Sequence, residues 1–365
     1  MQPLVTIAVA VYNIDEKMLR LCLNSVAENT AESDEIIIVD DCSQNGSYEI
    51  CREYEKKYPR ITLYRTDKNS GIGYVRNLMI DKANGKWIYF VDGDDVMGAG
   101  AHESAEYAGG ENADVLIYDY KSFEKDFVCD KTTFIAKYKL LDKDCTDRIS
   151  MACLAESPCD IFGHTASKGC TSKGYNREFL LNNKIRFIED LKISEDSVFY
   201  ADVLCRCKKA VYFPFTLYYY RSANEHSVTN AYNADMDGLR KLYLMYFDEK
   251  CERYFPGRED IKQLHRKYKI PSVIYRQLKL DIFHKNNPKP YAERKREFES
   301  FLSEEPYKSA LEEFDCDGCG WIERALVDSL AKIRNFFALN ILFKHPVVLK
   351  FYGGIKNRLR ILFGR

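Results

Sequence analysis

The sequence predicts a doubly wound α/β domain with a mostly parallel sheet, followed by a helical C-terminal region. Three observations carry this expectation. Short, nearly continuous apolar runs such as Leu4 to Val11 and Glu35 to Val39 have the pattern of strands covered on both faces. Strand and helix patterns alternate over roughly residues 4 to 100, as right-handed crossover connections require. From about Ala234 the apolar spacing becomes helical, with Leu239, Leu242, Tyr243 and Tyr246 on one face. A boundary near residue 230 therefore divides the chain into domains 1–230 and 231–365.

The first strand, Leu4 to Val11, ends abruptly at Tyr12 and Asn13. Asp15 then caps a helix that carries Met18, Leu21, Cys22, Ser25 and Val26 at three- and four-residue spacing. A second strand, Glu35 to Val39, delivers Asp40 and Asp41, and Tyr48 to Tyr58 reads as the helix that follows. Ile61 to Tyr64 is a third strand. Asn69-Ser-Gly71-Ile-Gly73 forms a flexible turn before a helix from about Tyr74 to Ala83, and Trp87 to Val91 is the fourth strand. Further along, Val115 to Tyr118 reads as a strand, and the poorly patterned stretch from Glu124 to Asp147 has room for a small antiparallel piece. Helices are expected through Met151 to Ala155 and from near residue 178. Ala210 to Arg221 reads as two short strands. Leu264, Tyr268, Val273, Gln277 and Leu280 suggest more helix, interrupted by Pro271.

Composition bounds the function. At 365 residues, with 46% hydrophobic and 30% charged residues, the chain has the make-up of an ordinary globular protein and not of a disordered one. Thirteen cysteines, an odd number, fit a reducing compartment better than a disulfide framework, and Met1-Gln-Pro-Leu-Val-Thr lacks the shape of a signal peptide, so a cytoplasmic location is expected. Cys316-Asp-Gly-Cys319 has zinc-ligand spacing but no second Cys or His pair to match it. No apolar run reaches the roughly 20 residues that span a bilayer.

Lys86-Trp-Ile-Tyr-Phe-Val-Asp92-Gly93-Asp94-Asp95 drives an apolar strand directly into three carboxylates. Such groups repel one another unless a cation is shared, which points to a divalent metal and the phosphates such metals carry. An acidic turn that merely ends the strand is the plainer alternative. Ligands in open α/β sheets lie beyond the carboxyl ends of the strands, so Tyr12, the Asp40/Asp41 pair and the Asp92 to Asp95 cluster are expected in one crevice. A dinucleotide fingerprint would need Gly-x-Gly-x-x-Gly directly after the first strand, where Val11-Tyr12-Asn13 stands, and the phosphate-cradling Gly-x-x-x-x-Gly-Lys-[Ser/Thr] is absent.

Taken in order, Val5 to Asn13, Glu35 to Ser43 with Asp40-Asp41, Gly71 to Asn77 with Arg76, and Phe90-Val-Asp92-Gly-Asp94-Asp95 resemble the inverting family 2 glycosyltransferases with the GT-A fold. The resemblance extends more loosely through Lys173 to Leu180, Ser194-Glu195-Asp196-Ser-Val-Phe199, and Tyr218-Tyr-Tyr-Arg221 with Ser227. It implies transfer of a sugar from a nucleotide donor to a glycan or lipid-linked acceptor, with a UDP-sugar the leading donor and Mg or Mn as cofactor. It also implies a role for each position. Asp94 is the metal ligand, with Asp92 beside it near the donor sugar or ribose. Asp41 accepts a hydrogen bond from the base, on which Tyr12 stacks. Arg76, early in its helix, faces a phosphate, or else pairs with one of the nearby aspartates. Lys173 contacts donor or acceptor, and Arg221 with Ser227 belongs to a segment that closes over the diphosphate, or else Arg221 lies on the surface. Asp196 takes the acceptor's proton with Glu195 as its neighbour, although Ser194-Glu-Asp-Ser also suits a helix start. Asp95 is left for a supporting or capping part. Thr171 stands where members commonly carry Trp, two residues before Lys173, so packing on the acceptor side departs from the pattern.

Two other readings share parts of this pattern. Asp92-Gly-Asp94-Asp-Val96 also satisfies the Asp-x-Asp-x-[Thr/Val] motif of haloacid-dehalogenase-like phosphatases, but there the motif follows the first strand of the core. A nucleotide-sugar-binding subunit without turnover would keep the fold and dispense with Asp196. From Lys332 to Arg365 there are eight Lys or Arg and no Asp or Glu, interleaved with apolar clusters at Phe336-Phe337, Ile341 to Phe343 and Val347 to Phe351. Such a segment either lies on an anionic membrane surface or packs on the protein. Nucleic acid is not expected as a partner, because no aromatic-basic module accompanies the charge.

Overall fold

The computed structural model describes residues 2–124, 137–155, 157, 169–222, 231–314 and 322–344. Ser227, the Cys316/Cys319 pair and the cluster from Val347 onward lie outside the described residues. The chain divides into two compact units, Met1–Cys153 with Pro158–Asn224 and Leu154–Ser157 with Glu225–Arg365.

The first unit is built on one mixed sheet flanked by helices. Its strands and helices run β1 (Val5–Val11), α1 (Glu16–Asn29), β2 (Glu35–Asp40), α2 (Ser47–Lys57), β3 (Ile61–Arg65), α3 (Ile72–Lys82), β4 (Trp87–Asp92), β5 (Val96–Met97) and α4 (Ala101–Ala108). They continue as β6 (Val115–Phe123), β7 (Lys139–Leu141), α5 (Lys143–Ala155), β8 (Lys173–Asn176), α6 (Arg177–Asn182), α7 (Glu195–Arg206) and β9 (Ala210–Arg221). The sheet order is β3-β2-β1-β4-β8-β6-β9-β5, with β7 paired to β9. The strands β3, β2, β1 and β4 are mutually parallel, which explains their unbroken apolar sequences. Every residue of β1 is buried, and Leu19, Cys22, Leu23 and Val26 of α1 close one face over it. Asp15 caps α1 as expected, its carboxylate accepting from the Lys17 and Met18 amides. Burying such apolar side chains contributes about 1.5–3 kcal/mol each.

Several elements differ from the sequence reading, each for a physical reason. The segment expected as two short strands is the single strand β9, whose register against β6 shifts between Tyr118 and Asp119. Pro214 falls at that irregularity and is exposed, because it has no N–H to give the ladder. The poorly patterned stretch before residue 147 holds β7, antiparallel to β9, and the helix expected at Met151 begins eight residues earlier at Lys143.

The second unit is helical: α8 (Met236–Tyr254), α9 (Glu259–Leu264), α10 (Ile270–Gln277), α11 (Tyr291–Phe301), α12 (Tyr307–Glu312), α13 (Ile322–Lys332) and α14 (Phe336–Lys344). Pro271 does not interrupt this region. A π-helical turn, His265–Lys269, leads into α10, and Pro271 occupies its opening turn, where a missing N–H costs least. No helix among the described residues is long and apolar enough to cross a membrane.

Candidate functional site

Strand order reverses between β1 and β4, and ligands of open α/β sheets lie beyond the carboxyl ends of the strands at such a switch point. Register fixes what lines it. Val11 pairs with Asp40 on one side of β1, and Ala10 pairs with Asp92 on the other. Asn13 then adopts a left-handed backbone with φ 49°, which Asn tolerates. Its amide donates to the Ser43 hydroxyl and its side chain accepts from the Gln44 amide, so the chain turns sharply and leaves Tyr12 45% exposed.

After β4 the acidic turn is folded tightly onto β1. The Gly93 amide donates to the Ala10 carbonyl at 2.9 Å, and a Cβ at Gly93 would lie 2.8 Å from that oxygen. Glycine is therefore the residue that lets Asp92 and Asp94 flank a backbone contact. The Asp95 amide returns to the Asp92 carbonyl at 3.0 Å. Asp92 and Asp94 stay partly exposed, whereas Asp95 is buried. Its two carboxylate oxygens receive the Tyr218 hydroxyl at 2.6 Å and the Arg221 amide at 2.7 Å. Tyr218 also accepts from the Asp92 amide, and Arg221 Nε donates to the Asp94 carbonyl at 2.8 Å. Arg221 is buried, with its guanidinium over the Phe123 ring, so it braces the turn from β9. Asp95 therefore ties the turn to β9.

Asp41 and Arg76 each make buried contacts within the protein. Asp41 is buried, and its carboxylate accepts from the Thr66 hydroxyl and from the Ser70 and Gly71 amides at 2.8, 2.9 and 2.8 Å. It thereby pins the loop that opens α3, where Gly71 has φ +87°. Arg76 is also buried and faces two carboxylates: one guanidinium nitrogen lies 2.7 Å from Asp92 and the other 3.0 Å from Glu195. Of the two expectations for this arginine, a phosphate or an ion pair to a nearby aspartate, the structure shows an ion pair, and it bridges the end of β4 and the start of α7.

That bridge separates the members of the acidic pair on α7. Glu195 is buried, and burial, aided by Asp196, raises its carboxyl pKa while the Arg76 guanidinium opposes the shift. Asp196 remains partly exposed and accepts from the Ser197 amide and hydroxyl. Ser194 occupies the cap position with φ 66° and makes no side-chain cap hydrogen bond, so a capping box does not account for the pair. Lys173, on β8, is buried. Its ammonium donates to the Thr171 carbonyl at 2.9 Å and lies over the Tyr200 ring at 4.5 Å. Burial lowers its pKa to about 8, with Asp196 among the groups that oppose this.

The donor set can be tested against a cation. Burial, and then the charges of Asp92 and Asp94, push the Asp95 carboxyl up to about 8, which leaves Asp92 and Asp94 as the carboxylates of the turn that are partly exposed. Among the described residues no group of three or more His, Cys, Asp or Glu side chains forms a ready cage for a metal. One or two carboxylates, with the remaining ligands from water and substrate phosphates, is the usual set for Mg. Asp94 and Asp92 fit that pattern.

Sequence reasoning left out two tyrosines. Tyr218 and Tyr220 alternate on β9, so their side chains share a face. Tyr218 reaches the acidic turn, while Tyr220 is 42% exposed and close enough to Asp95, Asp94, Asp92 and Asp196 that, after burial, these charges raise its pKa. The signal was the run Tyr218-Tyr-Tyr-Arg221, whose two-residue alternation was legible only once it was known to be one strand.

A 3-2-1-4 parallel core with acidic groups at its switch point, extended by antiparallel strands, defines a GT-A-type α/β domain. Residues 6–146 of this domain match the model of glycosyl transferase family 2. Glycosyltransferase GlyA of Streptococcus pneumoniae is 35% identical over 126 residues, covering 33% of this chain and 17% of that protein. The poly(ribitol-phosphate) beta-glucosyltransferase of Bacillus spizizenii is 30% identical over 264 residues, covering 66% and 39%. The chain thus spans well under half the length of these relatives. Among solved structures, S. aureus TarS 1-349 in complex with UDP-GlcNAc superposes with a TM-score of 0.57 at 17% identity, covering 94% of this chain and 92% of that one. That likeness is one of fold.

Proposed function

We propose that this protein transfers a sugar from a nucleoside-diphosphate sugar to a glycan or lipid-linked acceptor, with inversion at the anomeric carbon. The carrying observation is the arrangement around Arg76: it links Asp92, at the switch-point end of β4, to Glu195, directly beside the partly exposed Asp196. Donor-side and acceptor-side carboxylates therefore share one buried cation.

In this reading Tyr12 stacks on the donor base, for which its exposed ring at the end of β1 is suited. Asp41 acts on the base side by holding the Ser70 to Gly71 loop and with it the start of α3. Mg or Mn held by Asp94, with Asp92 beside it, would offset the charge that develops on the leaving diphosphate. Asp196 takes the proton of the acceptor hydroxyl as its oxygen bonds the anomeric carbon and the bond to the diphosphate breaks. Glu195 stays with Arg76 and fixes the start of α7. Arg221 and Lys173 hold the turn and the β8 edge on which both substrates rest. A UDP-sugar is the leading donor, in keeping with the complex that TarS forms with UDP-GlcNAc. The enzyme works at the cytoplasmic side, in assembly of a cell-envelope polysaccharide.

The test is a screen of nucleotide sugars with Mg or Mn, reading nucleoside diphosphate release and then the anomeric configuration of any product by NMR. Metal-dependent release and an inverted product are expected. A retained configuration, or no binding and no turnover with any donor, would sink the reading.

A further inference from the structure

The last described helix, α14, is apolar on two faces, and among the described residues only one of them is covered. Phe336, Leu339, Asn340 and Leu342 are buried. Phe336 packs against Phe283, Tyr291 and Phe298 at ring separations of 4.9, 5.0 and 5.3 Å, and Phe343 stacks on Phe283 at 5.3 Å. Phe337 and Ile341, one helical turn apart, are 67% and 43% exposed. Ile333, in the turn that leads into the helix, is 67% exposed as well. The sequence thus posed packing and surface binding as alternatives, but α14 has a face for each.

Charge says what covers the second face. No Asp or Glu occurs from Lys332 to the end of the chain, while Arg334 and Lys344 flank Phe337 and Ile341, and Lys350, Lys356, Arg358, Arg360 and Arg365 follow. A protein partner would need a matching acidic rim. An anionic lipid surface supplies negative charge throughout, together with an acyl boundary for the aromatic and aliphatic side chains.

We infer that α14 is an interfacial helix that seats Phe337 and Ile341 in an anionic membrane surface, with Lys344 and the basic sequence that follows it supplying positive charge toward the headgroups. The helix lies in the plane of the surface and does not span it. This does not depend on sugar transfer, and it is tested without a donor.

The full chain is mixed with vesicles of phosphatidylcholine alone or with phosphatidylglycerol, and the bound fraction is read by sedimentation. Binding is expected only with phosphatidylglycerol, and raising salt to about 1 M, where the Debye length is about 3 Å, should release it. Phe337→Glu with Ile341→Glu should lower the apparent affinity at least about tenfold. Arg358→Gln with Arg360→Gln should weaken it several-fold and leave the apolar face intact. Phe337 and Ile341 lie on the exposed side of the helix, and an unchanged melting temperature checks that both variants fold. Equal binding by the Phe337/Ile341 variant, or equal binding to neutral vesicles, would overturn the inference. So would self-association in the absence of vesicles that the Phe337/Ile341 substitutions abolish, since the face would then belong to a second copy of the chain. Nucleoside diphosphate release in solution is expected to be the same in both variants.

Discussion

The guanidinium of Arg76 lies 3.0 Å from Glu195 and 2.7 Å from Asp92, which makes one buried side chain the joint between α3, α7 and the end of β4. The Arg76 and Glu195 side chains are only 5% and 11% exposed, so solvent does little to screen the pair. Arg76→Ala leaves two acids facing each other with no cation between them. It should cost about 3–5 kcal/mol of stability, measured by urea denaturation. Arg76→Lys should recover part of this loss but not all, because an ammonium cannot hold two carboxylates in the forked geometry. A melt unchanged by either substitution would refute the bridge.

Asp95 sets a pH dependence. Its carboxyl rises from an ordinary 3.8 to about 8, mainly through burial and then through Asp92 and Asp94. Across that interval the folded chain holds a proton that the unfolded chain gives up. The associated stability is complete below about pH 4 and is lost as pH rises through about 8. Asp95→Asn mimics the protonated form, so its stability should fall less steeply than that of the native protein between about pH 5 and 9. Parallel denaturation midpoints over that range would count against this account.

The acidic turn should also decide metal dependence. Asp94→Ala should reduce metal-dependent nucleoside diphosphate release by roughly a hundredfold or more while leaving the melting temperature within a few degrees. A chelator should abolish the same activity in the native protein, and added Mn or Mg should restore it. Turnover that survives chelation would require another source of charge for the leaving diphosphate.

The two acids on α7 should separate in kinetics. Asp196→Asn should lower kcat for transfer by about a hundredfold to ten-thousandfold and leave the Kd for the nucleotide unchanged in calorimetry. Glu195→Gln removes an ion pair to Arg76, so its main effect should be on stability, with a smaller effect on kcat. The reverse ranking would move the base to Glu195.

Much of the site was legible because its components are local. An apolar run ending in Asp92-Gly-Asp94-Asp95 already states that a strand stops and acids begin, and Gly93 marks the close approach to β1. Asp95 was read as a supporting residue, and it is bonded to Tyr218 and Arg221. The Tyr218 hydroxyl was not foreseeable, since nothing near Asp95 in sequence indicates which strand will lie across from it. Lys173 was similarly opaque: its spacing fits a ligand contact, but whether an ammonium faces a crevice or a Tyr200 ring depends on how β8 packs.

The sequence by itself determined the alternation of strands and helices, the carboxyl edge on which Tyr12, Asp41 and Asp92 would meet, and the chemical class of the groups there. These follow from period, turn chemistry and crossover handedness, which act over a few residues or a single connection. Only the tertiary structure decided how each charged group is used. It gave Asp41 to the amides of the α3 loop, Arg76 to Asp92 and Glu195, and Asp196 to partial exposure beside them. A charge finds its partner by burial and distance in space, and residues 76, 92 and 195 become neighbours only when the sheet has closed around them.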